Sequence, residues 1–156
     1  MKDKYFSAQL AALGEDSIKD NEGHTYRFSC FRSFHFPFAI RVDANASGGG
    51  LLTFAMCDAP LYPSGSDMNV AWTLDISEEQ MSTLSQSIEQ NGFWDMPVSI
   101  REYGLDGSNW IVECVRDGQY HVVERWTPRE GEIFDIGSLF TSLSGERIHP
   151  LYSKSG

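Results

Sequence analysis

Asp117-Gly118 separates two stretches of alternating character, 109–116 and 119–127, and no other feature restricts the fold of this chain so tightly. A two-residue turn between antiparallel strands needs positive φ at both central positions, which Asp and Gly tolerate. Such a turn sets every cross-strand pair at once. Arg116 opposes Gln119, Cys114 opposes His121, Val112 opposes Val123 and Trp110 opposes Arg125. On the other face Val115 opposes Tyr120, Glu113 opposes Val122 and Ile111 opposes Glu124, with Trp126 near the end. Pro128 stops the second strand.

The remaining elements follow from local signals. Residues 4–13 read as a short helix with Phe6, Leu10 and Leu13 on one side, and 14–23 as a polar connection. Phe28, Phe31, Phe34, Phe36 and Phe38 crowd the next stretch. Rings on both alternating faces point to a strand covered on both sides, and Pro37 divides it from a second strand at 38–43. Residues 45–50 form a turn, 51–57 return as a strand, 58–67 are irregular and 69–74 make a fourth strand. Ser77-Glu-Glu-Gln80 is a capping box flanked by Ile76 and Met81 as a hydrophobic staple. Met81, Leu84 and Ile88 then give an apolar stripe, so a helix is expected over 78–91, ending at Asn91-Gly92. Ile133, Ile136, Phe140 and Leu143 give a second helix over 131–144, stopped by Gly145. Strands, helix, hairpin, helix is the order of an α+β domain. The expectation is a mostly antiparallel sheet of about six strands, with a capped central helix and a C-terminal helix. At 156 residues the whole chain, 1–156, is expected to be one domain.

Charge narrows the partners. Twenty-two acidic residues against twelve basic ones leave a formal net charge of -10. Such a surface repels phosphate backbones and anionic lipid, which excludes nucleic acid and membranes, and it attracts a basic protein surface. Cys30, Cys57 and Cys114 are odd in number and widely spaced, which points to reduced thiols rather than a disulfide framework. No apolar run reaches the length of a membrane span, and residues 1–16 lack the apolar core of a signal peptide. The expected location is the cytoplasm.

Three segments carry a resemblance: Gly92-Phe-Trp-Asp-Met-Pro97, Gly104-Leu-Asp-Gly-Ser-Asn-Trp110-Ile-Val-Glu113, and Gly118-Gln-Tyr-His121-Val-Val-Glu-Arg-Trp126-Thr-Pro128. Together they resemble a group of small uncharacterised bacterial proteins sharing a G-F-W-x-x-P turn and a D-G-x-x-W-x-x-E…G-x-Y-H-x-V-x-x-W-x-P hairpin. Arg32-Ser-Phe-His-Phe-Pro37 fits the same pattern more loosely. The resemblance implies a common fold and a bacterial origin, and it brings no catalytic residues with it.

Candidate chemistry is sparse. Gly48-Gly-Gly50 is followed by Leu51-Leu-Thr-Phe54, strand residues rather than the Gly-Lys-Ser/Thr and helix of a phosphate loop. Cys114 and His121 are cross-strand neighbours, as a thiol nucleophile and its base would be. Val112, Val123 and Trp110 on the same face favour packing instead. His24, His35, His121 and His149 lack the spacing of a zinc site, so neither metal nor cofactor is expected. There is no G-x-S-x-G elbow.

Glu113 and Glu124 fall diagonally across one hairpin face, roughly 5–8 Å apart, with Tyr120 and Trp126 beside them. Two carboxylates so placed could serve as acid and nucleophile on a sugar. A solvated, partly paired edge is the simpler reading. Two functions follow. The first is a protein-binding, neutralising protein in the manner of a bacterial immunity protein for a toxin, with Glu113, Tyr120, Glu124 and Trp126 meeting a basic partner. The second is a small glycosidase-like hydrolase using Glu113 and Glu124.

Overall fold

The computed structural model describes residues 8–32, 37–57, 69–99 and 108–145. Its elements are α1 (Ala8–Ala12), β1 (His24–Arg32), β2 (Phe38–Ala44), β3 (Gly50–Cys57), β4 (Asn69–Ile76), α2 (Glu78–Gln90), a 3-10 turn (Phe93–Asp95), β5 (Ser108–Arg116), β6 (Gln119–Trp126) and α3 (Glu132–Ser144). The strands form one six-stranded sheet in the order β4-β3-β2-β1-β5-β6, antiparallel throughout. This is the α+β architecture expected. Phe6, Phe34, Phe36, His35, His149 and the irregular stretch 58–67 lie outside the described residues.

The hairpin register is the one the Asp117-Gly118 turn dictates, from Arg116 opposite Gln119 to Trp110 opposite Arg125. Asp117 (φ 51°) and Gly118 (φ 80°) both adopt the left-handed backbone that the turn requires. β5 then pairs along β1, with Tyr26 opposite Cys114 and Phe28 opposite Val112.

Alternation assigns each strand residue to a face. One face presents Tyr26, Phe28, Phe38, Ile40, Leu52, Phe54, Trp110 and Val112 to α2 and α3, and these pack into the main core. The helix α2 is capped as its sequence demands. The Gln80 amide donates to Ser77 Oγ at 3.0 Å and the Ser77 amide to Gln80 Oε1 at 2.9 Å, with Met81, Leu84 and Ile88 turned inward. The second helix, α3, lies very close to the sheet. A Cβ added at Gly137 would come within 2.6 Å of the Trp110 ring, so glycine there permits the approach that stacks Phe134 on Trp110.

The opposite face is covered differently. Leu10, Leu13 and Ile18, all buried, belong to the N-terminal segment, and Leu10 and Leu13 pack with Phe31, Ala39, Ile111 and Val122. Aromatic content on both sides of β1 is thus matched by cover on both sides. The polar connection read at 14–23 is only partly that: Glu15 and Ile18 within it are buried. Among the described residues, no helix is long and apolar enough to cross a membrane.

Candidate functional site

Beneath the N-terminal segment lies a row of charged side chains. Arg27 of β1 sits between Arg41 of β2 and Glu113 of β5 in the sheet register. Arg27 and Glu113 are both fully buried and Glu15 is 5% exposed. Buried charges need partners, and two arginines side by side need several. Arg27 Nε donates to Glu113 Oε1 at 2.9 Å, and Nη2 lies 2.7 Å from the same oxygen. Its Nη1 donates to Glu15 Oε1 at 3.1 Å and to the Asp16 carbonyl at 2.7 Å. Arg41 Nη1 donates to Glu15 Oε2 at 2.6 Å, and its Nε to Asp43 Oδ2 at 2.9 Å. Burial works to lower the Arg41 pKa, but the Asp43 hydrogen bond and the Glu15 charge outweigh it and raise the value. Glu15 therefore bridges the two arginines and ties the N-terminal segment to the sheet.

Sequence reasoning missed Glu15, Arg27, Arg41 and Asp43. The signal was present, since Arg27 and Arg41 occupy mid-strand positions among apolar neighbours, where a charge without a counter-ion is expensive.

The residues singled out on the hairpin separate. Glu113 is not on a solvated edge, as its pattern led us to expect; it is interior, and Tyr120 donates its hydroxyl to Glu113 Oε2 at 2.7 Å. Both carboxylate oxygens are engaged. A partner or a sugar has no path to it, and a lysine at this position would face Arg27. Glu124 is half-buried and accepts from the Asn109 side-chain amide at 2.6 Å. The two carboxylates occupy separate hydrogen-bond systems, so the geometry of an acid–nucleophile pair is not assembled. Tyr120 and Trp126 are half-buried.

Cys114 is fully buried and burial pushes its thiol pKa well up, with the Glu113 charge adding to the effect. A nucleophile needs the reverse. His121 instead places Nε2 2.9 Å from the Met96 carbonyl and packs edge-on against Phe93 at 5.2 Å. In this way His121 fastens the Gly92–Pro97 turn to the hairpin. Arg116 lies 4.9 Å over the Trp94 ring and pairs with Glu89 of α2. Much of the sequence pattern at Gly92–Pro97 and along the hairpin therefore does structural work: Phe93 and Trp110 fill the core, Glu113 and Tyr120 complete the charged row, and His121 clamps a turn.

A cleft of about 360 Å3 opens beside the end of β6, lined by Met96, Arg125, Trp126, Thr127, Arg129 and Glu132 among others. Thr127 adopts φ 42°, unusual for a β-branched residue, and is held by its amide donating to the Ser108 carbonyl at 2.7 Å. The Ser108 amide donates in return to Thr127 Oγ1 at 2.9 Å. Glu130 and Glu132 match the two arginines, so the cleft has no net pull on an ion. Among the described residues, no group of three or more His, Cys, Asp or Glu side chains could hold a metal ion.

The surface carries the acids. Asp75, Glu78, Glu79 and Glu89 are exposed where β4 runs into α2 and along that helix. Leu51 and Leu74 are 39% and 42% exposed at the same border of the sheet. Comparison with models of known protein families and with curated proteins finds no match for the chain.

Proposed function

We propose that this chain is a protein-binding domain that neutralises a basic partner, in the manner of a bacterial immunity protein for a toxin. The observation that carries the reading is the division of charge. Arg27, Glu113 and Glu15, including one of the two carboxylates considered for hydrolysis, are locked together inside. A group of exposed acids, Asp75, Glu78 and Glu79, lies outside where β4 runs into α2. An interior of paired charges serves the fold, and exposed carboxylates serve encounter with a cationic surface. The resemblance to small bacterial proteins adds the setting in which such pairs occur.

The test is capture from a bacterial host extract on the immobilised full chain at low and at high salt. A basic protein retained at low salt and released as salt rises supports the proposal. A strongly acidic partner, or retention indifferent to salt, defeats it. So does turnover of a glycoside that Glu124→Gln abolishes.

A further inference from the structure

The two edges of the sheet are treated unequally. Along β6, the Glu124 amide donates to the Val98 carbonyl at 2.6 Å, and Ser99 forms a parallel bridge to Glu124. Arg125 Nη1 reaches the same Val98 carbonyl at 3.3 Å. The chain itself therefore occupies that edge at Glu124. β4 is the opposite case. It pairs with β3 without interruption from Gly50–Ile76 to Cys57–Asn69, and among the described residues it pairs with nothing else.

Exposed edges are normally guarded by lysine, proline, a bulge or a covering segment, because open N–H and C=O groups recruit another strand. The eight residues of β4, Asn69-Val-Ala-Trp-Thr-Leu-Asp-Ile76, contain neither lysine nor proline, and the ladder contains no bulge. Ala71, Thr73 and Asp75 on one face of β4 and Leu74 on the other are exposed, and Trp72 beside Leu74 is half-buried.

Charge decides what pairs there. Asp75 lies in the strand, and Glu78 and Glu79 follow in the first turn of α2, all exposed. A second copy would bring the same carboxylates and a further charge of -10. Resting on the reading of a basic partner, we infer that β4 is a docking edge that accepts an extended strand of that partner, apolar at alternate positions and flanked by lysine or arginine. Main-chain hydrogen bonds supply the pairing, Leu74 and the half-buried Trp72, which share one face of β4, contact the apolar positions, and the acids select the charge.

The probe is an eight-residue valine–threonine strand peptide with lysines at both ends, titrated into the isotope-labelled full chain. A counterpart with glutamate ends serves as control. Amide exchange should slow along β4 alone, and the glutamate peptide should bind at least roughly tenfold more weakly at low salt. Neighbouring strand residues point their amides in opposite directions, so one of Thr73→Pro and Leu74→Pro removes an outward N–H and leaves the β3 ladder whole. Circular dichroism identifies which of the two folds, and that variant should lose the peptide. For a chain in which neither folds, Asp75→Lys should weaken the lysine peptide and strengthen its glutamate counterpart. Protection elsewhere on the molecule, no protection at about 1 mM peptide, or unchanged affinity in the folded proline variant overturns the inference. A captured basic protein that still binds that variant leaves the neutralising function standing and removes only β4.

Discussion

Arg27 has three acceptors from two separate parts of the chain: the Glu15 carboxylate and the Asp16 carbonyl of the N-terminal segment, and the Glu113 carboxylate of β5. Removing one member of such a group strands the others away from water. Glu113→Ala is expected to destabilise by about 3–5 kcal/mol, because it leaves the Arg27 charge under-compensated in the interior. Tyr120→Phe should cost about 1–2 kcal/mol through the lost bond to Glu113 Oε2. Urea midpoints at neutral pH measure both, and a Glu113→Ala loss under about 1 kcal/mol would contradict the geometry, because a stranded buried charge costs several times as much. Cys114 gives a second prediction with a definite sign. Burial raises its folded pKa above the unfolded value, so the folded state keeps its proton longer. The stability it contributes is fully present below the unfolded thiol pKa of about 8.5 and declines as pH rises past it. The stability difference between wild type and Cys114→Ala should therefore shrink in alkaline buffer, and a constant difference from neutral to alkaline pH would refute the assignment.

Glycine governs how near α3 comes to the sheet. Gly137→Ala places a methyl group against the Trp110 ring and Phe28, so α3 must move outward, at a cost of about 1–3 kcal/mol. The same change on an exposed helical surface would be stabilising, so thermal unfolding distinguishes close packing from intrinsic helix preference. The elements themselves were legible because their signals are local. A capping box, a two-residue turn and a 3.6-residue stripe each need only a few neighbouring residues, which is why α2, the β5–β6 register and α3 match their expected positions within a residue or two. The charged row was not legible. Arg27 and Glu113 stand 86 positions apart, and only the β1–β5 pairing, which no local pattern encodes, brings them together. Glu113 looked like a surface carboxylate because strand alternation says which face a residue occupies without saying what covers that face. The cover is the N-terminal segment, whose composition around Gly14 to Gly23 reads as a loop.

At the scale of the whole molecule, the external acids set the kinetics of encounter. Reversing Glu78 and Glu79 to lysine together should slow association with the basic partner several-fold at low salt and have little effect on dissociation. The difference should fade as the Debye length contracts below roughly 8 Å. Stopped-flow mixing at several ionic strengths reads this directly, and an effect confined to the off-rate would place the acids inside the contact rather than on the approach to it. Strand order has its own consequence for synthesis. β1 to β4 are consecutive in sequence and neighbours in space, so this meander can assemble as it leaves the ribosome. β1 then waits with one side open until β5, made more than 75 residues after β1 ends, arrives to close it. During that interval Arg27 lacks Glu113, and Phe28 lacks Trp110 and Phe140. A stalled nascent chain ending near residue 100 should accordingly remain protease-sensitive and hold chaperones, while one that has released the β5–β6 hairpin should not.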